Sequence, residues 1–262
     1  MLKLVELKHP IIVAHRGFRS RYPENTLSAF SAAVEQGIFM IELDVALTRD
    51  RQVIVIHDDT LDRTTTGHGL VNQMNLSDIL RLDAGSWFDS QFSQETVPTL
   101  EQVFQNLGGR CVINVEIKSV AVEYDDPKDA VEKQVLRMIL DYHLREMTLI
   151  SSFNTHVLSR LNRIDPTVPV ALLSNRVLDD DTLSILNDLN AFSWNPDYRK
   201  LSRKQTEQVH KQGIKVFPYT VNGNKAIQQV LDMGVDGLIT DDPVEAVGCL
   251  INRISNNGKY SF

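Results

Sequence analysis

Apolar and β-branched residues gather in short runs along the chain, at Ile11–Ala14, Met40–Val45, Val112–Ile117, Thr148–Ser151, Val168–Leu172, Ala191–Trp194, Val216–Val221 and Gly237–Thr240. Runs of this length and composition read as buried strands. Between most of them lie helix-length amphipathic segments, such as Thr26 to Glu35, which Asn25 is placed to cap and Gly37 to stop. Alternating strands and helices predict a parallel sheet, and eight repeats predict a closed (β/α)8 barrel of the α/β class.

A ninth run, Val53–Ile56, follows the second too closely for a parallel crossover, so it is expected to return as an antiparallel hairpin with its turn near Arg49 and Asp50. Folding back in this way sets His57 beside Glu42 and Asp44. From Asp58 to Pro98 the pattern is irregular, with a short amphipathic piece at Leu76 to Leu82 and aromatic residues at Trp87, Phe88 and Phe92. A segment of this length is expected to be an insertion over the barrel mouth, acting as a lid or as a packed decoration. Asn256 to Phe262 reads as a frayed tail.

A chain of 262 residues, 42% hydrophobic and 23% charged, can bury one large core, so a single domain over residues 1–262 is expected. There is no solenoid repeat or low-complexity tract. The net charge of -7 disfavours nucleic acid and anionic membranes as partners. No apolar leader and no run of eighteen apolar residues is visible, which suggests a cytoplasmic protein without stable membrane anchoring. Cys111 and Cys249 lie in separate apolar runs without metal-ligand spacing, and buried free thiols are expected.

In such a barrel, polar residues at the C-terminal ends of strands face a shared mouth. The first strand ends in His15–Arg16–Gly17, the second carries Glu42 and Asp44, and the third carries Glu116 and Lys118. Glu42 and Asp44 are two apart and share a face, and Glu116 has the same inward parity. Three converging carboxylates repel one another unless a divalent cation joins them, and their oxygen donors suit Mg2+ or Ca2+, with Mn2+ also compatible and zinc disfavoured. Alone, a Glu–x–Asp pair is more often a salt-bridge partner; two histidines, an arginine and a lysine at neighbouring strand ends reverse that weighting. Cleaving a phosphodiester requires charge neutralisation, help for the nucleophile and a proton for the leaving alkoxide. Arg16, Lys118 and the cation can supply the first. His15 and His57 can supply the others, as base and acid respectively, with the direction set by the substrate pose.

These residues, with Pro23–Glu24–Asn25–Thr26, His57–Asp58, Leu61–x–Arg63–Thr64–Thr65, Gly67, Val97–Pro98–Thr99–Leu100, Glu116–Ile117–Lys118, Ser152–Phe153, Thr220–Val221–Asn222 and Gly237–Leu238–Ile239–Thr240–Asp241, make the chain resemble the glycerophosphodiester phosphodiesterases from about residue 10 to 247. The resemblance implies a metal held by Glu42, Asp44 and Glu116, acid and base roles for His15 and His57, phosphate contacts from Arg16 and Lys118, and Asn222 near substrate. It implies hydrolysis of glycerophosphocholine, glycerophosphoethanolamine or glycerophosphoglycerol to glycerol 3-phosphate and an alcohol. The nucleophile would be a water activated by the cation, or the glycerol C2 hydroxyl acting through a cyclic phosphate. Tyr219 is a departure, since members often carry Trp there. Two other readings are weighed: a lysophospholipase D or sphingomyelinase D activity drawing on Trp87, Phe88 and Phe92, and a non-catalytic phosphate-ligand sensor. The two histidines weigh against a sensor. Oligomeric state is not legible.

Overall fold

A computed structural model describes residues 3–257. Its strands are β1 (Ile11–Ala14), β2 (Met40–Leu47), β3 (Val53–Val55), β4 (Val112–Ile117), β5 (Thr148–Ser152), β6 (Val170–Ser174), β7 (Ser193–Pro196), β8 (Lys215–Val216) and β9 (Gly237–Thr240). The helices are α1 (Leu27–Glu35), α2 (Leu76–Ile79), α3 (Leu100–Leu107), α4 (Val131–Asp141), α5 (Thr155–Ile164), α6 (Asp180–Asp188), α7 (Arg203–His210), α8 (Asn224–Asp232) and α9 (Pro243–Asn257). The sheet runs β8-β7-β6-β5-β4-β2-β1-β9 in parallel, and β3 pairs antiparallel with β2, as the hairpin spacing predicts.

The barrel closes between β8 and β9 through single bonds rather than a ladder: Asp236 N–H donates to Val216 O (3.1 Å), Ile239 N–H to Pro218 O (2.9 Å) and Val221 N–H to Ile239 O (2.8 Å). The strand expected over Val216–Val221 is therefore regular only at Lys215–Val216. Pro218 has no N–H to give, which interrupts the ladder just beyond it. The sixth and seventh strands, β6 and β7, begin two residues later than the apolar runs that announce them and extend further toward the mouth.

Side-chain parity divides the core. Ile41, Leu43 and Val45 of β2 and Ile113, Val115 and Ile117 of β4 pack outward with Phe30 of α1 and Val103 and Phe104 of α3. Met40 and Val112 face the interior with Val13, Leu149, Phe217 and Ile239, and Leu4 and Leu7 from the N-terminal segment join this inner cluster. Glu42, Asp44, Asn114 and Glu116 share the inward parity, so each strand carries its apolar residues at the base and its acids toward the mouth.

The segment between β3 and α3 has an apolar cluster of its own, where Leu61, Val71, Ile79, Ala84 and Val97 pack on Ala46, Ile54 and Ile56. Only α2 within the expected Leu76 to Leu82 piece is regular helix. Phe92 packs at a tilt against Tyr22 (5.5 Å between ring centroids), and edge-to-face contacts join Phe88 to Phe92 (5.8 Å) and Trp87 to Phe88 (5.7 Å), which ties this segment to the loop before α1.

Two end assignments change. The cap of α1 is Thr26, whose Oγ1 accepts from Ala29 N–H, and not Asn25. Asn25 stands at φ +58° and sends its side chain to Asp44 instead, leaving the extended residue after it to cap. At the other end α9 runs to Asn257, so the tail expected from Asn256 begins as helix; its remainder lies outside the described residues. Cys111 and Cys249 are both buried and free.

Candidate active site

β1 ends in a tight turn in which Arg16 and Gly17 both have positive φ, +55° and +82°. A side chain at Gly17 would sit 2.7 Å from the backbone of Ala29, so only glycine allows the loop to lie this close to α1. The turn aims Arg16 N–H at Glu42 Oε2 (2.9 Å). Glu42 Oε1 is buried without any hydrogen-bond partner.

Glu42, Asp44 and Glu116 each present an oxygen within 4.8 Å of the others, and all three are buried. Burial, then Asp44 and Glu116, push the Glu42 carboxyl well above its ordinary value. Burial and Asp44 likewise raise Glu116, to about 7. Burial also opposes ionisation of Asp44, but Arg16, Lys118, His57 and the Asn25 amide outweigh it and hold that acid below its ordinary value. Lys118 Nζ bridges Glu116 (3.1 Å) and Asp44 (3.6 Å).

The hairpin does place His57 beside the acids: Ile56 N–H donates to Asp44 O (3.0 Å), and Asp44 is the largest influence on the ring after burial. His57 Nδ1 lies 2.6 Å from Asp58 Oδ1, and His15 Nδ1 lies 2.6 Å from Asp241 Oδ1. Both aspartates are held below their ordinary values, Asp241 at about 2. An ionised carboxylate can only accept, so each Nδ1 carries the proton and each Nε2 is left with its lone pair. Burial is the largest influence on both rings and lowers both below 6.5.

Arg16 is buried and already engaged: Nη1 donates to Glu24 Oε1 (2.7 Å), and Nε lies 3.2 Å from Asp44 Oδ2 without hydrogen-bond alignment. Burial opposes its charge, but Asp44, Glu24 and Glu42 outweigh it. Asn222 stands one side chain behind His15. Its Nδ2 donates to Asp241 Oδ2 (2.7 Å), and its Oδ1 accepts from Asp241 N–H (2.9 Å) and Thr240 Oγ1 (3.1 Å). Tyr219, the departure noted above, packs edge-on against Phe153 at 5.9 Å and donates its hydroxyl to Ser174 O.

The chemistry suits a divalent cation. With every group ionised, Glu24, Glu42, Asp44, Asp58, Glu116 and Asp241 would exceed Arg16, Arg19, Arg63 and Lys118 by two negative charges, and the raised values of Glu42 and Glu116 reflect that excess. An all-oxygen trio with one unpartnered carboxylate oxygen is the donor set a hard cation takes.

All eight residues singled out in the sequence line one mouth. Reasoning from sequence gave no role at the mouth to Glu24, Arg19, Asp58, Arg63 or Asp241, and gave Asn25 only that of a helix cap. Two signals were available: an acid directly after His57, and an acid closing β9, the strand that pairs with β1.

The chain matches the glycerophosphoryl diester phosphodiesterase family over residues 15–245. It is 38% identical to a glycerophosphodiester phosphodiesterase of Caldanaerobacter subterraneus subsp. tengcongensis over 95% of this chain and 99% of that one. It is 34% identical to a Bacillus altitudinis glycerophosphodiester phosphodiesterase over 90% of this chain and 96% of the relative. An Oleispira antarctica phosphodiesterase, solved with the product sn-glycerol-3-phosphate, superposes with a TM-score of 0.81 at 26% identity, covering 92% of this chain and 97% of that one.

Proposed function

Because this chain belongs to the glycerophosphoryl diester phosphodiesterase family, we propose that it hydrolyses glycerophosphodiesters such as glycerophosphocholine, glycerophosphoethanolamine and glycerophosphoglycerol to glycerol 3-phosphate and an alcohol. The observation that carries this reading is the buried Glu42–Asp44–Glu116 trio flanked by two histidines whose Nδ1 atoms are each tied to an aspartate.

Glu42, Asp44 and Glu116 would hold one divalent cation, Mg2+ or Ca2+ by their chemistry, with Mn2+ as a further candidate. When bound, such an ion supplies Lewis-acid neutralisation of phosphoryl charge. Arg16 and Lys118 add positive charge beside the phosphate. Arg16 acts chiefly through its field, because its Nη1 is committed to Glu24 and its Nε faces Asp44. Asn222 supports the site by holding Asp241 against His15.

One histidine accepts the proton of the attacking hydroxyl at Nε2, and the other delivers a proton to the leaving oxygen. Both rings are neutral near pH 7 in the free protein, which readies the base. The incoming phosphate anion raises the affinity of the acid for its proton.

Residues 1–262 would work as one barrel domain, with residues 58–98 as an insertion packed at the mouth on its own apolar cluster. Phe88 and Phe92 are half-buried in the aromatic cluster, and of the three aromatic residues only Trp87 is exposed, so two of the three are committed to packing the insertion and not to a lipid tail. Soluble diesters fit a cytoplasmic setting. Among the described residues, no helix is long and apolar enough to cross a membrane.

The test is release of glycerol 3-phosphate from glycerophosphoethanolamine, with EDTA and then Mg2+ or Ca2+ added back, beside lysophosphatidylcholine as the lipid control. Turnover restored by cation and confined to the soluble diester supports the reading. Folded protein without turnover on any glycerophosphodiester overturns it.

A further inference from the structure

The mouth holds a second charged assembly, centred on Glu24. Its side chain is 1% exposed, and its two oxygens accept four hydrogen bonds from three guanidinium groups. Arg16 Nη1 (2.7 Å) and Arg63 Nη2 (2.7 Å) reach Oε1, while Arg63 Nη1 (3.0 Å) and Arg19 Nε (3.0 Å) reach Oε2. Four bonds fill the lone-pair capacity of a carboxylate. Burial opposes its charge, but Arg63, Arg16 and Arg19 outweigh that and hold it at about 2.

Two of these arginines continue outward in the same way. Arg63 donates to both oxygens of Asp58, from Nε (2.6 Å) and Nη2 (3.0 Å), and Asp58 Oδ1 accepts from His57 Nδ1 (2.6 Å). Arg19 Nη1 lies 3.3 Å from Asp241 Oδ1, which accepts from His15 Nδ1 (2.6 Å). Two arms of identical chemistry, carboxylate to guanidinium to carboxylate to imidazole, thus run from one buried acid to the two histidines. Elements far apart in the chain are joined by them: the loop before α1, the segment after β3 and the end of β9.

We propose that Glu24 is a shared positioning residue for His15 and His57, with Arg19 and Arg63 as its arms. The inference rests on the acid and base roles proposed above. Each aspartate can fix its histidine only while it is itself fixed. Asp58 and Asp241 are each partly solvent-exposed, and a guanidinium anchored at a buried carboxylate adds rigidity to both, at Asp241 alongside the Asn222 amide. A common anchor also sets the two imidazoles relative to each other, which acid and base acting on one phosphorus require.

The test uses the full chain loaded with cation. kcat and KM are measured for Arg19→Lys, Arg63→Lys and the double variant, each with Glu24 and with Glu24→Gln, and 15N signals of the histidines report their tautomers. Each lysine variant is expected to lower kcat about tenfold with KM changing less than about threefold. The double variant should lose less than the product of the two, and Glu24→Gln should lose about 100-fold, with little further loss from either lysine. Both histidines should carry the proton on Nδ1 in the wild type and show mixed tautomers in Glu24→Gln.

Full multiplication of the Arg19 and Arg63 effects, or unchanged tautomers in Glu24→Gln, would overturn the proposal. If Glu24→Gln does not fold, the partly exposed Arg19 and Arg63 variants decide it through their coupling alone. Undiminished turnover in His15→Ala and His57→Ala would instead overturn the histidine roles, while the tautomer signals would still report on the anchor.

Discussion

Removing either imidazole deletes one proton-transfer group while leaving the apolar frame in place. His15→Ala and His57→Ala are expected to lower kcat by about 100-fold to 10,000-fold, with circular dichroism unchanged. The pH dependence follows from burial, which lowers both histidines below 6.5. A base works when neutral, so a lowered pKa keeps it competent to lower pH. The acid limb of kcat/KM in the cation-loaded enzyme should therefore have its midpoint below 6.5, and a midpoint above that value would contradict the burial argument.

Among the elements, the β1–α1 connection carries the most demanding geometry. Gly17→Ala would place a side chain 2.7 Å from the Ala29 backbone at a φ of +82°. It should destabilise the protein by about 2 kcal/mol or more and weaken turnover, because the same turn aims Arg16 N–H at Glu42. The neighbours Asn25 and Thr26 separate two effects. Thr26→Ala should cost about 1 kcal/mol in denaturant unfolding with modest change in kinetics, since it removes the α1 cap. Asn25→Ala removes the amide that donates to Asp44 at 3.0 Å, so its larger effect should be on cation affinity and kcat. Equal kinetic losses in the two variants would show that the distinction between cap and site support is wrong.

For the whole molecule, the buried acids make stability depend on pH and on cation. Glu42 and Glu116 have folded values raised above their unfolded ones, so folding takes up protons between the two. Stability of the cation-free protein should consequently be greatest below the unfolded value near 4.5 as far as these two groups are concerned, and fall as pH rises toward about 7. Glu24 and Asp241 act in the opposite sense: both are depressed to about 2, and their contribution is lost as pH falls from about 4.5 and 3.8 respectively. His15 and His57, lowered below 6.5, add stability as pH rises toward 6.5. The carboxylate effect is therefore read as the gain in melting temperature from Mg2+ or Ca2+ over EDTA, which should grow from mildly acidic to neutral pH. At 100 times its dissociation constant a cation adds about 2.7 kcal/mol, visible as several degrees in a calorimetric scan. A cation-induced gain in melting temperature that is the same at mildly acidic and neutral pH would argue against a strained carboxylate trio.

Local pattern determined the barrel, because strand and helix periodicity and the length of each connection are properties of neighbouring residues, and these left only the parallel β/α order with one hairpin between β2 and β3. It also determined the acid trio and the two histidines, since parity on a strand and position at a strand end can be counted along the chain. The exact reach of each strand was not legible: Pro218 stops the ladder of β8, and the partner strands set where β6 and β7 begin. Tertiary structure alone decided what Glu24, Arg19, Arg63, Asp58 and Asp241 do. Their hydrogen bonds span separations of up to 226 residues, and a charged side chain in a loop carries no sequence signal of which distant partner it will meet. Asn25 shows the same physics at short range: its sequence position suits a helix cap, but the buried carboxylate of Asp44 offers its amide a stronger partner, and the cap passes to Thr26.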